Sequence, residues 1–276
     1  MNILILLGIV SLFIFGRKVS SNWIAGIKDT LNKMMGFSTD RRLFSSWTAN
    51  PIGWTRNTQC WARAYNWSGT AAGIMGLGGV GGGSLISRRH VLLADHVPYP
   101  ARPFEIFFVN RPGKTFTYKV TKIDSIPGTD IAIGTLDRDA DPSLVTYRVL
   151  PDDWARYVEG LTIGTTMGIE VITLRLPVLY LNQEKMVSTG DIVRLVSGTA
   201  QVEPPAFAPA QAYYQVQRGG DSGNPIFVQV GDELVLLGAW HQVGVFPWII
   251  THKGAIEAII GQKLLVADLS GFTRVA

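Results

Sequence analysis

The run Gly219-Gly220-Asp221-Ser222-Gly223-Asn224-Pro225 sets a serine among glycines in a segment that must turn. A serine hydroxyl is a poor nucleophile until an imidazole takes its proton. The imidazole in turn needs a carboxylate to fix its tautomer and stabilise its cationic form. The oxyanion formed during acyl transfer needs backbone N–H donors, and glycine before the serine lets the chain present them. Ser222 is therefore a candidate nucleophile. Alone, a Gly-x-Ser-Gly tetrapeptide suits an ordinary turn equally well, with Pro225 opening the strand after it.

Two upstream segments change that balance. Gly82-Gly83-Ser84-Leu85-Ile86-Ser87-Arg88-Arg89-His90-Val91-Leu92-Leu93-Ala94-Asp95-His96 closely resembles the strand–turn–strand–His segment of trypsin/chymotrypsin-like serine peptidases. Thr129-Asp130-Ile131-Ala132-Ile133-Gly134-Thr135-Leu136 resembles that family's Asp-Ile-Ala segment. The order His96, Asp130, Ser222 is the family's order. The short His-to-Asp separation is that of disulfide-free bacterial and viral members. The resemblance covers roughly residues 70–260, and three ordered motifs are far more specific than any one. It implies that Ser222 attacks a substrate carbonyl, that His96 is general base and then general acid, and that Asp130 orients His96. It further implies an oxyanion hole from the N–H groups of Gly220 and Ser222, a polypeptide substrate, and no cofactor.

The chain departs from the family in several places. In activated relatives the acid before the serine pairs with a newly cut N-terminus. No Ile-Val-Gly-Gly-type start is present, so some other group must satisfy Asp221, and activation by cleavage is not expected. Asp95 stands where a small residue is usual; it either crowds or pairs with His96, or points outward. Asp124 and Asp137 are rival partners for His96 but lie outside the Asp-Ile-Ala pattern. The family's pocket-base position, six residues before the serine, falls on Val216, which gives no carboxylate for Lys or Arg. Leu237-Gly238-Ala239-Trp240-His241-Gln242-Val243 resembles the pocket-wall strand, with the register off by one. It offers His241 as a candidate pocket residue, against a plain structural histidine. His90 and His252 read as structural.

These residues need strands to hold them. Thirty glycines and fourteen prolines in 276 residues predict many turns and short strands. Strands are expected at 84–87, 91–94, 104–109, 115–123, 131–136, 161–167, 169–174, 186–196, 213–216, 225–230 and 234–240, with a connector at 137–160 and a loop at 201–210. A helical turn is expected at 151–154 and a short helix near 252–260. Two runs of strands predict two β-barrels or one large sandwich. The resemblance selects an all-β fold of two six-stranded antiparallel barrels, about 60–140 and 160–250, with a short C-terminal helix, within a domain spanning 51–276.

The N-terminus is different. Residues 3–15 are almost wholly apolar and are closed by Arg17 and Lys18. Thirteen helical residues span roughly 20 Å, short of a hydrocarbon core of roughly 30 Å. Residues 1–16 therefore read as a signal peptide or short membrane anchor, which makes the protein secreted or membrane-associated through residues 3–15. The basic pair after the run and the missing cleavage signal leave the side of the membrane open. Residues 17–50 read as a tether or accessory segment, with helical spacing from Trp23 to Met35.

Composition excludes other classes. A net charge of +4 without a basic stripe argues against nucleic acid. A single cysteine, Cys60, permits no intramolecular disulfide and reads as structural. Four scattered histidines show no metal-ligand spacing. The chain order His before Ser, and Asn224 where a nucleophile elbow needs glycine, argue against an α/β-hydrolase. The leading function is a serine endopeptidase; the alternative is a catalytically silent binding module on the same fold.

Overall fold

Two buried apolar runs, 104–109 and 131–136, flank the mixed run 115–125 as three antiparallel strands, and the rest of the domain is built outward from such pairs. The computed structural model describes residues 22–47, 54–78 and 81–275. The apolar segment 3–15, and with it the expected signal peptide or anchor of 1–16, lies outside the described residues. No described helix is long and apolar enough to cross a membrane.

In chain order the elements begin with helix α1 (Trp23–Met35), then strands β1 (Phe44–Ser46), β2 (Thr55–Arg56), β3 (Ala71–Ile74), β4 (Ser84–Leu85), β5 (His90–Ala94), β6 (Phe104–Val109), β7 (Thr115–Ser125) and β8 (Ile131–Leu136). After β9 (Arg148–Val149) and a 3-10 turn at Trp154–Tyr157 come β10 (Thr162–Thr166), β11 (Ile169–Leu181), β12 (Val187–Val196) and β13 (Thr199–Glu203). The short helix α2 (Ala208–Gln211), β14 (Pro225–Val230), β15 (Glu233–Ala239), β16 (Val245–Pro247) and helix α3 (Lys253–Ile260) complete the chain.

The first sheet runs β3-β6-β7-β8-β5-β4, all pairs antiparallel. A bridge between Thr70 and Ser84 draws its two ends together, giving a nearly closed six-stranded barrel. Its interior holds Val91, Leu93, Ile106, Phe108, Val120 and Leu136, all fully buried. The second sheet runs β16-β13-β12-β11-β14-β15-β9, with β10 paired to β11. It has eight strands where six were expected, because β10 extends one edge of β11 as a hairpin and β9 adds in parallel to β15.

Several elements differ from the sequence expectation for local reasons. β11 runs on past residue 174 through Pro177, which sits beyond a bulge between Thr173 and Leu176. There β10 has ended, and pairing with β14 begins only at Leu179, so the missing proline N–H leaves no ladder bond unmade. Residues 201–203 belong to β13 rather than to a loop, and 213–216 is not a strand. β3, β9 and β16 have two to four residues each, too few for alternation to register. Helix α3 follows a 3-10 turn at Ile249–His252 and ends at Gly261 in the left-handed region.

Helix α1 forms a wall of the domain. Asn22 caps it, its side-chain oxygen accepting the Ala25 N–H at 2.9 Å. The apolar positions 23, 24, 27, 31 and 35 fall on one face and are buried in the main core, with the Trp23 indole donating to the Gln229 carbonyl at 2.8 Å.

Candidate active site

Strands β5 and β8 pair antiparallel with Ala94 opposite Ile131. One residue further, the Asp95 N–H donates to the Asp130 carbonyl at 3.1 Å. That register brings His96, just after β5, against Asp130, just before β8. The Asp130 carboxylate accepts the His96 backbone N–H at 2.7 Å through Oδ1 and faces His96 Nδ1 at 2.8 Å through Oδ2. An ionised carboxylate only accepts, so Nδ1 carries the hydrogen and Nε2 presents its lone pair. Nε2 lies 2.8 Å from Ser222 Oγ. The three residues thus form one hydrogen-bonded chain from carboxylate to hydroxyl. The Asp130 side chain is 7% exposed and that of His96 42%, so the acid is shielded and the imidazole is open to a ligand.

The rival acids are engaged elsewhere. Asp124 pairs with Lys122 at 2.7 Å, and Asp137 with Arg138 at 2.7 Å and with the Lys119 N–H at 2.9 Å. Asp95 points outward and accepts from the Ser125 hydroxyl.

The loop before β14 carries Ser222 and is pinned on both sides. Gly81 N–H donates to the Gly220 carbonyl at 2.9 Å, and Gly223 N–H to the Trp240 carbonyl at 2.9 Å. Gly220 takes φ 99°, a backbone conformation that disfavours a side chain. Among the described residues, the N–H groups of Gly220 and Ser222 donate to no protein acceptor, so the expected oxyanion donors are free to serve a ligand.

Asp221 is buried, and its neighbours answer the question the sequence left open. Its carboxylate accepts the Gln183 N–H at 2.8 Å and the Arg218 N–H at 2.9 Å. Burial raises its pKa above the ordinary value, opposed by those N–H groups and by the charges of Arg218 and Lys185. Lys185, fully enclosed, donates to Asn224 Oδ1 at 2.6 Å and to the Gly81 carbonyl at 3.3 Å. Nothing in the sequence pattern around Lys185 marks it, because it reaches the loop only through the fold.

A cavity of about 300 Å³ opens beside Ser222 between residues 217–219 and 240–243. Val216 is exposed and is not among the lining residues; Gln217 is buried and is. His241 does line the cavity. Its Nδ1 also lies 2.7 Å from Asp130 Oδ2, at ion-pair distance, but makes no hydrogen bond. Sequence spacing could not show this second imidazole beside Asp130.

His90 Nδ1 lies 2.8 Å from the Ser87 hydroxyl in the β4–β5 turn. For His252, burial lowers the pKa. Cys60 is buried, and burial pushes its thiol up to about 11, far from a reactive thiolate. The chain matches no protein-family model and no curated protein.

Proposed function

We propose that the chain is a serine endopeptidase working through Ser222, His96 and Asp130. The observation that carries this reading is the continuous Asp130–His96–Ser222 contact, with both steps at 2.8 Å. In the proposed reaction Ser222 Oγ attacks the scissile carbonyl carbon while its proton passes to His96 Nε2. The N–H groups of Gly220 and Ser222 hold the oxyanion. His96 then gives its proton to the leaving amine, leaving an acyl-enzyme, and a water activated by the same imidazole releases the acid.

The architecture supports a second barrel in this reading. Numbering the first sheet's strands one to six in chain order gives the cyclic order one-four-five-six-three-two. Counting β11 to β16 in the same way gives the same cyclic order once β15 neighbours β16, and only a short turn joins those two. We read the domain as two barrels of like topology with the site between them. The silent-module alternative had Asp95 as its local hint, and Asp95 turns away to Ser125.

The test is covalent labelling with a fluorophosphonate probe. Wild type should label, and Ser222→Ala and His96→Ala should not, while keeping wild-type circular dichroism. A folded wild type that stays unlabelled, or labelling that survives Ser222→Ala, overturns the proposal.

A further inference from the structure

We infer that His241, Asp130 and His96 together form an inhibitory site for a borderline-soft divalent cation such as Zn²⁺, an inference that rests for its inhibitory effect on the function proposed above. Each of the three residues offers a ligand atom within 4.8 Å of the others. Both Nδ1 atoms face the same oxygen, Asp130 Oδ2, at 2.8 Å from His96 and 2.7 Å from His241. Two imidazoles and a carboxylate are the protein ligands of open zinc sites, which keep a further position for water. The nitrogen donors favour Zn²⁺, Cu²⁺ or Ni²⁺ over Mg²⁺ or Ca²⁺.

The His241 nitrogen is the telling atom. It stands against a carboxylate oxygen without a hydrogen bond. A lone pair in that place repels the oxygen, and a misdirected N–H gains little from it. A cation between the two satisfies both. Metal–ligand distances of about 2.0–2.2 Å set tetrahedral donors roughly 3.4 Å apart, so each ring must retreat by roughly 0.6 Å. Both histidine side chains are partly exposed and have room to do so.

Inhibition follows from the tautomer. In the metal-free site His96 carries its hydrogen on Nδ1 and accepts at Nε2. Coordination through Nδ1 needs a lone pair on that nitrogen, so its hydrogen leaves Nδ1 and one is carried on Nε2 instead. Neutral His96 neither gains nor loses a proton, but Nε2 then cannot accept from Ser222. Removing the cation restores the base.

The experiment uses the full chain and Zn²⁺ itself. Competition against a chromophoric chelator should show one Zn²⁺ per chain, weakened at least tenfold in His241→Phe. Zn²⁺ should also protect His96 and His241 of wild type, and not His90 or His252, from diethylpyrocarbonate, as mapped by mass spectrometry. That readout needs no variant to fold. No binding, binding that His241→Phe leaves unchanged, or no selective protection overturns the inference. If the site is right, fluorophosphonate labelling of wild type is blocked by Zn²⁺ and returns with EDTA; labelling that persists at saturating Zn²⁺ overturns the inhibitory role. Absence of labelling in metal-free protein instead overturns the peptidase reading, while the chelator and protection data still judge the metal site.

Discussion

Two ionisable side chains behind Ser222, Asp221 and Lys185, are buried and held by hydrogen bonds to other groups. Asp221 is fastened by two amide N–H groups and Lys185 by Asn224 and the Gly81 carbonyl. Burial depresses the Lys185 ammonium from 10.5 to about 7. Across the window from about 7 to 10.5 the unfolded chain holds a proton that the folded chain has lost, so this group's contribution to stability rises with pH. It is complete above the unfolded value and is lost as pH falls through the folded one. Lys185→Met has nothing to titrate there. Wild type should therefore gain on Lys185→Met as pH rises from 7, by at most about 1.4 kcal/mol per unit, read as the difference in urea midpoints. At the pocket, Gln217 lines the cavity and Val216 does not. Gln217→Glu should shift peptide-library cleavage toward Lys and Arg before the scissile bond, and Val216→Glu should leave the profile unchanged.

At the scale of elements, two close approaches build the site. The β5–β8 register sets His96 against Asp130, and both strands were legible as alternating or buried runs. The Ser222 loop, by contrast, lies on the segment before β4. A Cβ on Gly82 would come within 2.6 Å of Asn224 Oδ1 and 2.7 Å of its Cα. Gly82→Ala must therefore push the nucleophile loop away, at a cost of about 1–3 kcal/mol. We expect a lower thermal midpoint and a fluorophosphonate labelling rate reduced at least tenfold. Equal labelling with an unchanged midpoint would show that the loop yields freely. The glycines of this segment could be seen in the sequence, but not what they must make room for. β3, β9 and β16 were missed because two to four residues carry no period, and β9 is held by parallel contacts with β15 and with Val266, both distant in sequence.

Over the whole molecule, helix α1 closes the larger of two core clusters against the second sheet. Trp23 is 1% exposed and bonds to Gln229 at the end of β14, and Tyr213 donates back to the Met35 carbonyl at 3.0 Å. Trp23→Ala should cost about 3–5 kcal/mol, measured by urea unfolding. Loss of less than about 1 kcal/mol would mean that α1 is peripheral to stability. Its helical spacing was visible in the sequence; its burial against the second sheet was a matter of what lay opposite.

The sequence by itself determined the residue types and their order: a serine among glycines, a histidine closing one strand, an aspartate opening another, and enough short alternating runs for an all-β domain. Those are local properties, fixed by side-chain chemistry and by neighbours along the chain. Only the tertiary structure decided which groups meet. It put Asp130 rather than Asp124 or Asp137 against His96, turned Asp95 outward, set Lys185 beneath the Ser222 loop, put Gln217 rather than Val216 in the wall of the cavity, and brought His241 to the same carboxylate as His96. The contacts of His96, Asp95, Lys185 and His241 each join positions 30 or more residues apart in the chain. Their distances are set by sheet register and loop packing, which no periodicity within a single segment records.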